Sequence, residues 1–427
     1  MATESSIVRF TNGLLACCGK AKREDLFIDT STGKIIDKTD PRVDKALVVD
    51  LAGRILSPGL LEVQLNGAKG VDFSDVPVDN IESYASSFRR ASRGILEMGV
   101  TSFLPTLVTS DAQTYRLALP IVRPNGSQRD HDLGAESLGC HCEGPFLSRE
   151  RKGAHPSDFL LEPANGIQSI RDFYGQESLA APIPAIRKIT LAPELPGMLE
   201  TIRALTHEYG IICSLGHSPA TYEQGLAGVR AGATMLTHLY NAMEPCLHRS
   251  PGLVGLIGAP ETDLAAPPRE RPFFGLIADG IHVAPSCVRM AWAVHREGCI
   301  LTTDGTAATG FDLPDGTYEW TLQRKVVKKG EKLFLEGSDT IAGGTTTLLQ
   351  CVSNLIRWTG CEAAEALQTV TATPARMLRC EDTKGTLKVG ADADLVVLSW
   401  SDGGNDSREL QVDEVWKFGK RCFTRTD

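Results

Sequence analysis

The sequence lacks the features that would direct a protein to a membrane or out of the cell. It contains no apolar run long enough to span a bilayer, and its first residues, MATESSIVRF, show no cationic stretch followed by an apolar one. We therefore expect no transmembrane helix and no signal peptide. Basic residues are not in excess either, because the net charge is −9. This charge disfavours binding to nucleic acid or to an anionic membrane surface.

The cysteines lack any regular pattern. Twelve are scattered along 427 residues without a CxxC pair, and several lie inside apolar runs. A free thiol in such a run packs as a small hydrophobic group. We therefore expect no disulfide framework, a reducing environment and a cytoplasmic location.

The composition is that of a globular enzyme, with 42% hydrophobic and 23% charged residues. The length favours one large domain with a smaller one. Both ends of the chain read as short strands separated by glycine-containing turns. We predict that residues 1–57 and 381–427 together form one small β domain, and that residues 58–380 form the large domain.

The large domain contains eight short apolar runs separated by amphipathic stretches, which is typical of repeated β-α units. The runs are LLEVQLNG, VTSFLPTL, SLGCHCEG, RKITLAPE, IICSLGHS, ATMLTHLY, FFGLIADG and CILTTDG. Each run ends in polar residues that could take part in catalysis. They are Gln64 and Asn66, Thr106, Glu143, Glu194, His217, His238, Asp279 and Asp304. This pattern predicts an α/β fold, a (β/α)8 barrel of the TIM type with a small β-sandwich domain built from both chain ends. An open, doubly wound sheet is the alternative, but it would not explain polar endings on all eight runs.

Three of these polar residues form a candidate metal site. Glu143, His217 and His238 end the third, fifth and sixth predicted strands. One carboxylate and two imidazoles leave a fourth ligand position open, as in catalytic zinc sites. Each residue alone could be a hydrogen-bonded polar group, but the shared location at one barrel mouth favours a common metal.

Other residues could complete a reaction centre at this mouth. Asp304 could act as a general base, although Asp-Gly is also a turn signal. His282 could donate a hydrogen bond to a substrate oxygen, or could lie in a surface loop. His155 belongs to a long excursion, residues 145–181, that could cover the mouth.

The first predicted strand lacks the His-x-His pair that would hold a second metal. It carries Gln64 and Asn66 instead, and neutral amides bind divalent transition metals poorly. We therefore expect one tightly held metal. Cys140 and Cys142 alternate with His141 on a strand, so they point away from it and are assigned to packing.

Two segments remain less defined. Arg249 follows the sixth predicted strand and suggests an anionic substrate group, although a solvated loop arginine is the alternative. Residues 259–272 show no periodicity and are rich in proline and charge, so we expect a mobile surface loop.

Seven motifs in this sequence resemble a known family. They are LSPGLLEVQLNG, CHCEGPFLS, KGAHP, LGHSPATY, THLYNAMEP, ADGIH and LTTDG. Together they resemble the N-acetylglucosamine-6-phosphate deacetylases of the amidohydrolase superfamily, over residues 57–380. The resemblance implies a metal-dependent barrel enzyme that converts N-acetylglucosamine 6-phosphate to glucosamine 6-phosphate and acetate in amino-sugar catabolism or recycling.

The resemblance also implies site roles. Glu143, His217 and His238 match the ligands of one divalent metal per subunit, Zn²⁺ in the first place and Fe²⁺, Co²⁺ or Mn²⁺ as alternatives. Asp304 matches the catalytic acid and base, and His282 matches the group that polarises the acetyl carbonyl. The implied substrate contacts are Ala154, His155, Asn241, Ala242, Arg249 and His282. The implied vestigial second-metal positions are Gln64 and Asn66.

The implied assembly is a homodimer in which Arg249 reaches the phosphate in the neighbouring subunit's site. One departure from the family pattern is Gly305, where an alanine is usual, and this glycine could loosen the loop that carries Asp304. Two other functions remain open. One is an amidohydrolase acting on a cyclic amide, and the other is an inactive barrel that serves as an assembly protein.

Overall fold

The computed structural model describes residues 6–180, 182–264, 270–321, 324–401 and 408–426. All eight predicted apolar runs form parallel strands of one sheet, adjacent in chain order. The strands are Leu60–Leu65, Val100–Val108, Cys140–Glu143, Ile186–Leu191, Ile212–Leu215, Met235–Leu236, Phe273–Leu276 and Cys299–Leu301. They are named barrel strands one to eight below. The prediction of a TIM-type barrel is confirmed.

The sheet closes where strand one meets the segment that follows strand eight. Leu65 forms a parallel bridge with Gly305, and the backbone N–H of Asn66 donates to the Gly305 carbonyl at 2.7 Å. A Cβ atom at Gly305 would lie 2.4 Å from Thr309 Oγ1, so no larger residue fits without a shift. The sequence had suggested that this glycine could loosen the loop. In the structure it instead allows close packing where the barrel closes.

The helices lie between the strands, and each buries one face against the sheet. The first shows the pattern: the Asn80 side chain accepts a hydrogen bond from the Ser83 N–H at 3.1 Å, and Phe88, Ala91 and Ile95 are buried. The α-helices are Ile81–Glu97, Ala112–Val122, Ile167–Tyr174, Gln176–Ala180, Met198–His207, Tyr222–Ala231, Pro285–Val294, Leu348–Thr359, Ala363–Gln368 and Ala372–Met377. Among the described residues, no helix is long and apolar enough to cross a membrane.

Two further sheets are built from the chain ends. A four-stranded sheet comprises Ile7–Thr11, Leu26–Asp29, Lys34–Ile36 and Leu47–Asp50. A six-stranded sheet joins Leu14–Cys17, Lys20–Lys22 and Ile55–Pro58 to Leu395–Trp400, Leu410–Lys417 and Lys420–Thr424. Both sheets contribute to one hydrophobic core, where Phe10 packs edge-on against Trp416 at 5.1 Å between ring centroids. This arrangement agrees with the predicted β-sandwich, while the domain boundaries at 57 and 381 stay predictions.

A buried ion-pair cluster connects the barrel to these sheets. The Lys417 ammonium lies 2.7 Å from both Glu136 Oε2 and Asp394 Oδ2, and Lys384 contacts the same two carboxylates. Lys417 is fully buried. Removing one partner from such a cluster leaves an uncompensated buried charge, which is strongly destabilising.

The sheet that follows strand eight was not predicted from the sequence. Gly316–Trp320, Arg324–Lys329 and Lys332–Leu335 form a separate three-stranded antiparallel sheet after strand eight. The segment expected to be a mobile loop, residues 259–272, includes residues 265–269, which lie outside the described part of the chain. Its first part contains a short 3-10 helix, Glu261–Asp263, where the Tyr222 hydroxyl donates to Asp263 at 2.9 Å.

Candidate active site

The three predicted metal ligands converge at the carboxyl ends of the strands. Nε2 of His238 lies 3.1 Å from Glu143 Oε1 and 3.0 Å from Nε2 of His217, and the distance from His217 Nε2 to Glu143 Oε1 is 3.4 Å. Bonds of ~2.0–2.2 Å in a tetrahedral site place ligand atoms roughly 3.4 Å apart. The three side chains therefore fit a single divalent ion, with further positions open toward the cavity.

The electrostatics of this group also favour a cation. Burial alone would raise the pKa of Glu143, but its contacts with the His217 and His238 rings hold it well below its usual value. The carboxylate therefore stays ionised although all three side chains are buried. An ionised, buried carboxylate beside two imidazoles binds a divalent cation readily.

The orientation of the His217 ring is set by a backbone carbonyl. Nδ1 lies 2.9 Å from the Arg151 carbonyl oxygen, which can only accept, so Nδ1 carries the proton. Nε2 is then left with a free lone pair facing His238 and Glu143. Fixing the second ring nitrogen in this way is how proteins prepare a histidine for metal binding.

Gln64 and Asn66 do contact the site, but as hydrogen-bond donors. Nε2 of Gln64 lies 2.9 Å from Glu143 Oε1 and 3.1 Å from Asp304 Oδ1, while Nδ2 of Asn66 lies 2.8 Å from Asp304 Oδ1. A second metal in this space would need ligand atoms with lone pairs. The two amides instead direct N–H groups at the carboxylates. The geometry thus agrees with the expectation of one metal.

Asp304 lies beside the metal ligands, three residues beyond the end of strand eight rather than at its last residue. Its φ of 48° is in the left-handed region, and His217 and His238 share this backbone conformation with φ values of 47° and 25°. Non-glycine residues adopt it at a cost of about 1–2 kcal/mol, and such strain concentrates at functional sites. Sharp turns after strands five, six and eight thus direct all three side chains into the mouth.

His282 is held by the carboxylate of Asp279 at the end of strand seven. Nδ1 of His282 lies 2.6 Å from Asp279 Oδ2, and the other carboxylate oxygen accepts the N–H groups of Ile281 and His282. Burial raises and the contact with His282 lowers the pKa of Asp279, with a net decrease. The carboxylate fixes the orientation of the His282 ring, and the imidazole lines the cavity.

His155 lies in the excursion after strand three, which covers part of the mouth as expected. The N–H of Thr109 donates to its Nδ1 at 3.3 Å, and the Thr109 hydroxyl lies 2.8 Å from the same atom. Burial, together with the neighbouring His217, holds the pKa of His155 well below its usual value. The ring is therefore neutral with its proton on Nε2, which makes Nε2–H a hydrogen-bond donor toward the cavity.

A cavity of about 300 Å³ lies in front of these groups. It is lined by the predicted residues Asn66, Glu143, Ala154, His155, His217, His238, Asn241, Ala242, His282 and Asp304. Arg249 does not line it and is exposed in the single chain. The contact of Arg249 with the phosphate in a neighbouring subunit's site therefore stays a prediction.

Several cavity residues were not predicted from the sequence, among them Asp72, Trp320 and Arg324. Asp72 follows strand one and could have been found by the same strand-end reasoning that identified Asn66. Trp320 and Arg324 come from the unpredicted hairpin, and no local pattern marks them as cavity residues.

A closed parallel barrel with a buried carboxylate, two imidazoles and a neighbouring aspartate at its mouth defines a metal-dependent hydrolase. Comparison with known proteins agrees with this class, since residues 55–422 match the amidohydrolase family. The chain is 40% identical over 403 residues to the N-acetylglucosamine-6-phosphate deacetylase of Mus musculus, covering 93% of each chain. The chain belongs to the amidohydrolase family and, within it, to the N-acetylglucosamine-6-phosphate deacetylases.

Solved structures of bacterial relatives have the same fold. The N-acetylglucosamine-6-phosphate deacetylase of Pasteurella multocida is similar with a TM-score of 0.79 and 27% identity, over 97% of this chain and 99% of that one. A variant of the Mycobacterium smegmatis enzyme, in complex with N-acetyl-D-glucosamine 6-phosphate, has a TM-score of 0.78 and 28% identity, over 98% and 100% of the two chains.

Proposed function

We propose that this protein hydrolyses the N-acetyl group of N-acetylglucosamine 6-phosphate, giving glucosamine 6-phosphate and acetate. The observation that carries the proposal is the grouping of Glu143, His217 and His238 around one point, with Asp304 held beside them. The relatives' activity supports the choice of substrate. This reaction belongs to the catabolism or recycling of amino sugars.

One divalent metal per subunit would be held by Glu143, His217 and His238. Zinc suits two imidazoles and a carboxylate best, and Fe²⁺, Co²⁺ and Mn²⁺ are compatible alternatives. Bound there, the ion supplies Lewis acidity that polarises a carbonyl oxygen and lowers the pKa of water.

The protein's own groups then move the protons. Asp304 accepts the proton of the attacking water, because its carboxylate lies beside the metal ligands with one oxygen, Oδ1, engaged by Gln64 and Asn66. His282 donates a hydrogen bond to the acetyl oxygen as negative charge develops there, a contribution of typically ~3 kcal/mol. Asp304 finally gives the proton to the departing amine, which is a poor leaving group while unprotonated.

The remaining cavity residues orient the sugar. His155 offers its Nε2–H, and the main chain around Ala154 adds a polar edge. Asn241 and Ala242 line the wall next to His238. These contacts do not involve the reacting atoms, so they contribute by positioning the substrate.

The phosphate is assigned to Arg249 of a neighbouring subunit in a homodimer. Its exposed position outside the chain's own cavity is consistent with a role across an interface. Arg249→Ala should lower kcat/KM for the phosphorylated sugar by about 30- to 1000-fold and leave the unphosphorylated sugar unaffected. Arg203→Ala, an exposed arginine on an outer helix, is the matched control.

A subunit-mixing experiment tests the interface role. Mixing Arg249→Ala with Asp304→Asn subunits should restore some activity, because one site of the mixed dimer then has both intact residues. If exchange is demonstrated and no activity returns, Arg249 does not act across the interface.

The function itself is tested by acetate release from N-acetylglucosamine with and without the 6-phosphate, together with metal analysis. We expect release from the phosphorylated sugar and about one metal per chain. Two metals per chain and activity on a cyclic amide would favour the other amidohydrolase class. No metal and no activity would favour an inactive assembly protein.

A further inference from the structure

The hairpin that follows strand eight forms part of the cavity wall. Gly316–Trp320 pairs antiparallel with Arg324–Lys329, and this pairing places Trp320 opposite Arg324. Both residues line the cavity, and so does Thr321 between them. The Thr321 hydroxyl donates to the Ser74 carbonyl at 3.4 Å, which connects the hairpin to the loop after strand one. The hairpin therefore places side chains against the substrate space without belonging to the barrel.

Arg324 is a cation with unused hydrogen-bond donors in this wall. One guanidinium nitrogen, Nη1, donates to the Ala154 carbonyl next to His155. Its Nε is buried and has no hydrogen-bond partner among the described residues. Leaving a charged donor unpaired in a partly buried place is unfavourable unless a ligand or water completes it.

A carboxyl group lies in the same wall. Burial, with a smaller contribution from Asp75, raises the pKa of Asp72 to about 7, although Arg324 acts in the opposite direction. Asp339 also lines the cavity. The wall therefore carries one positive charge, the negative charge of Asp339 and the partial negative charge of Asp72 at neutral pH.

This charge distribution does not suit a phosphate. Among the described residues that line the cavity, Arg324 is the only arginine or lysine, and the carboxyl groups of Asp72 and Asp339 in the same lining would repel a dianion. A hydroxyl group is different because it both donates and accepts. A guanidinium and a carboxyl group in one cavity wall can together serve it as donor and acceptor.

We propose that Arg324 and Asp72 bind ring hydroxyls of the amino sugar and thereby position the ring and select its hydroxyl pattern. The inference rests on the proposed function, since it concerns the substrate of the same site. In the described part of the chain neither residue forms a hydrogen bond or ion pair with the proposed metal ligands, so both are positioning and specificity-determining residues. The phosphate lies elsewhere in this arrangement, on the side of Asn241 and the partner's Arg249.

The test compares Arg324→Met with the parent on four substrates. They are N-acetylglucosamine 6-phosphate and its 1-, 3- and 4-deoxy analogues, which together remove each free ring hydroxyl. Loss of a charged hydrogen bond should reduce kcat/KM for the complete sugar by about 10- to 100-fold. With the analogue that lacks the contacted hydroxyl, the same substitution should change kcat/KM less than threefold.

Controls separate this role from a structural one. Lys325→Met changes an exposed, charged neighbour on the same strand and should leave all four values unchanged. Asp72→Asn should show its loss with the same or an adjacent hydroxyl. Metal content is measured for every variant, and Arg324→Lys provides a second probe if Arg324→Met does not fold, because an ammonium cannot reproduce the planar donor set.

Three results would overturn the proposal. The first is a change below threefold on the complete sugar, and the second is an equal loss on all four substrates. The third is a loss of kcat/KM on the phosphorylated sugar but not on unphosphorylated N-acetylglucosamine. That result would assign Arg324 to the phosphate. If the parent protein releases no acetate from the complete sugar, the proposed function fails instead, so the two failures are distinguishable.

Discussion

The Asp304→Asn substitution tests proton transfer without disturbing the site. Both amide donors, Gln64 Nε2 at 3.1 Å and Asn66 Nδ2 at 2.8 Å, reach the same oxygen, Oδ1. A carboxamide with its oxygen in that position keeps both hydrogen bonds and places its NH2 group where Oδ2 was. The substitution is isosteric and leaves the three metal ligands untouched. We therefore expect normal folding and full metal content.

The expected loss lies in turnover. Removing a positioned general acid–base group typically costs 10²–10⁴ in rate, or about 3–5.5 kcal/mol in activation free energy. Asp304 is assigned both proton transfers, so we expect the upper part of this range. The assay measures kcat by acetate release at saturating N-acetylglucosamine 6-phosphate, with metal content determined on the same sample.

Asp339→Asn is the matched control. It removes a carboxylate from the same cavity without touching Gln64 or Asn66, so it reproduces the change in cavity charge but not the loss of the proton acceptor. Its kcat should stay within threefold of the parent. Turnover of Asp304→Asn within tenfold of the parent, at equal metal content, would refute the acid–base role. Similar losses in both variants would indicate an effect of charge alone.

Three further predictions concern metal binding and stability. His217→Ala should lose most bound metal together with activity, measured by elemental analysis, and full metal retention would contradict its role as a ligand. Lys417→Met should lower the free energy of unfolding by about 3–5 kcal/mol in urea titrations, whereas the exposed Lys420→Met should change it by less than 1 kcal/mol. The pKa of Asp72 is about 7 in the folded state and ~3.9 in the unfolded state. Ionisation of Asp72 therefore lowers the free energy of unfolding as the pH rises from 4 to 7, and the loss persists above pH 7. Asp72→Asn avoids this cost, and its stability relative to the parent should therefore increase by about 2–3 kcal/mol between pH 5 and pH 8. A pH-independent difference would contradict the raised pKa.

The central part of the site was predictable because the barrel imposes its location. Once eight buried strands are recognised, their carboxyl ends must meet at one mouth, and Glu143, His217 and His238 follow from their positions there and from their ligand chemistry. The alternation of side chains on strand three was also informative. Cys140 and Cys142 are fully buried in the hydrophobic core, as expected, while His141 lies between the hydroxyls of Thr106 and Thr190.

The hairpin residues could not be located in this way. Trp320 and Arg324 lie on a short antiparallel element whose own sequence shows only that it is exposed on one side. Its position over the cavity depends on contacts that are distant in sequence, such as Thr321 with Ser74 and Arg324 with Ala154. Periodicity reports the local environment of a residue and carries no information about such long-range placement.

The two amides of strand one show how sequence and structure complement each other. The absence of histidines at positions 64 and 66 predicted a single metal, because neutral amides bind divalent transition metals poorly. That reasoning did not say what the amides do instead. The structure adds what the amides do: they donate hydrogen bonds to Glu143 and Asp304 and fix both carboxylates relative to each other. In a two-metal site the second cation would serve this purpose through its charge. Here neutral donors hold the Asp304 carboxylate in place. Because they are neutral, they would leave it free to accept a proton from water and pass it to the amine in the role proposed for it.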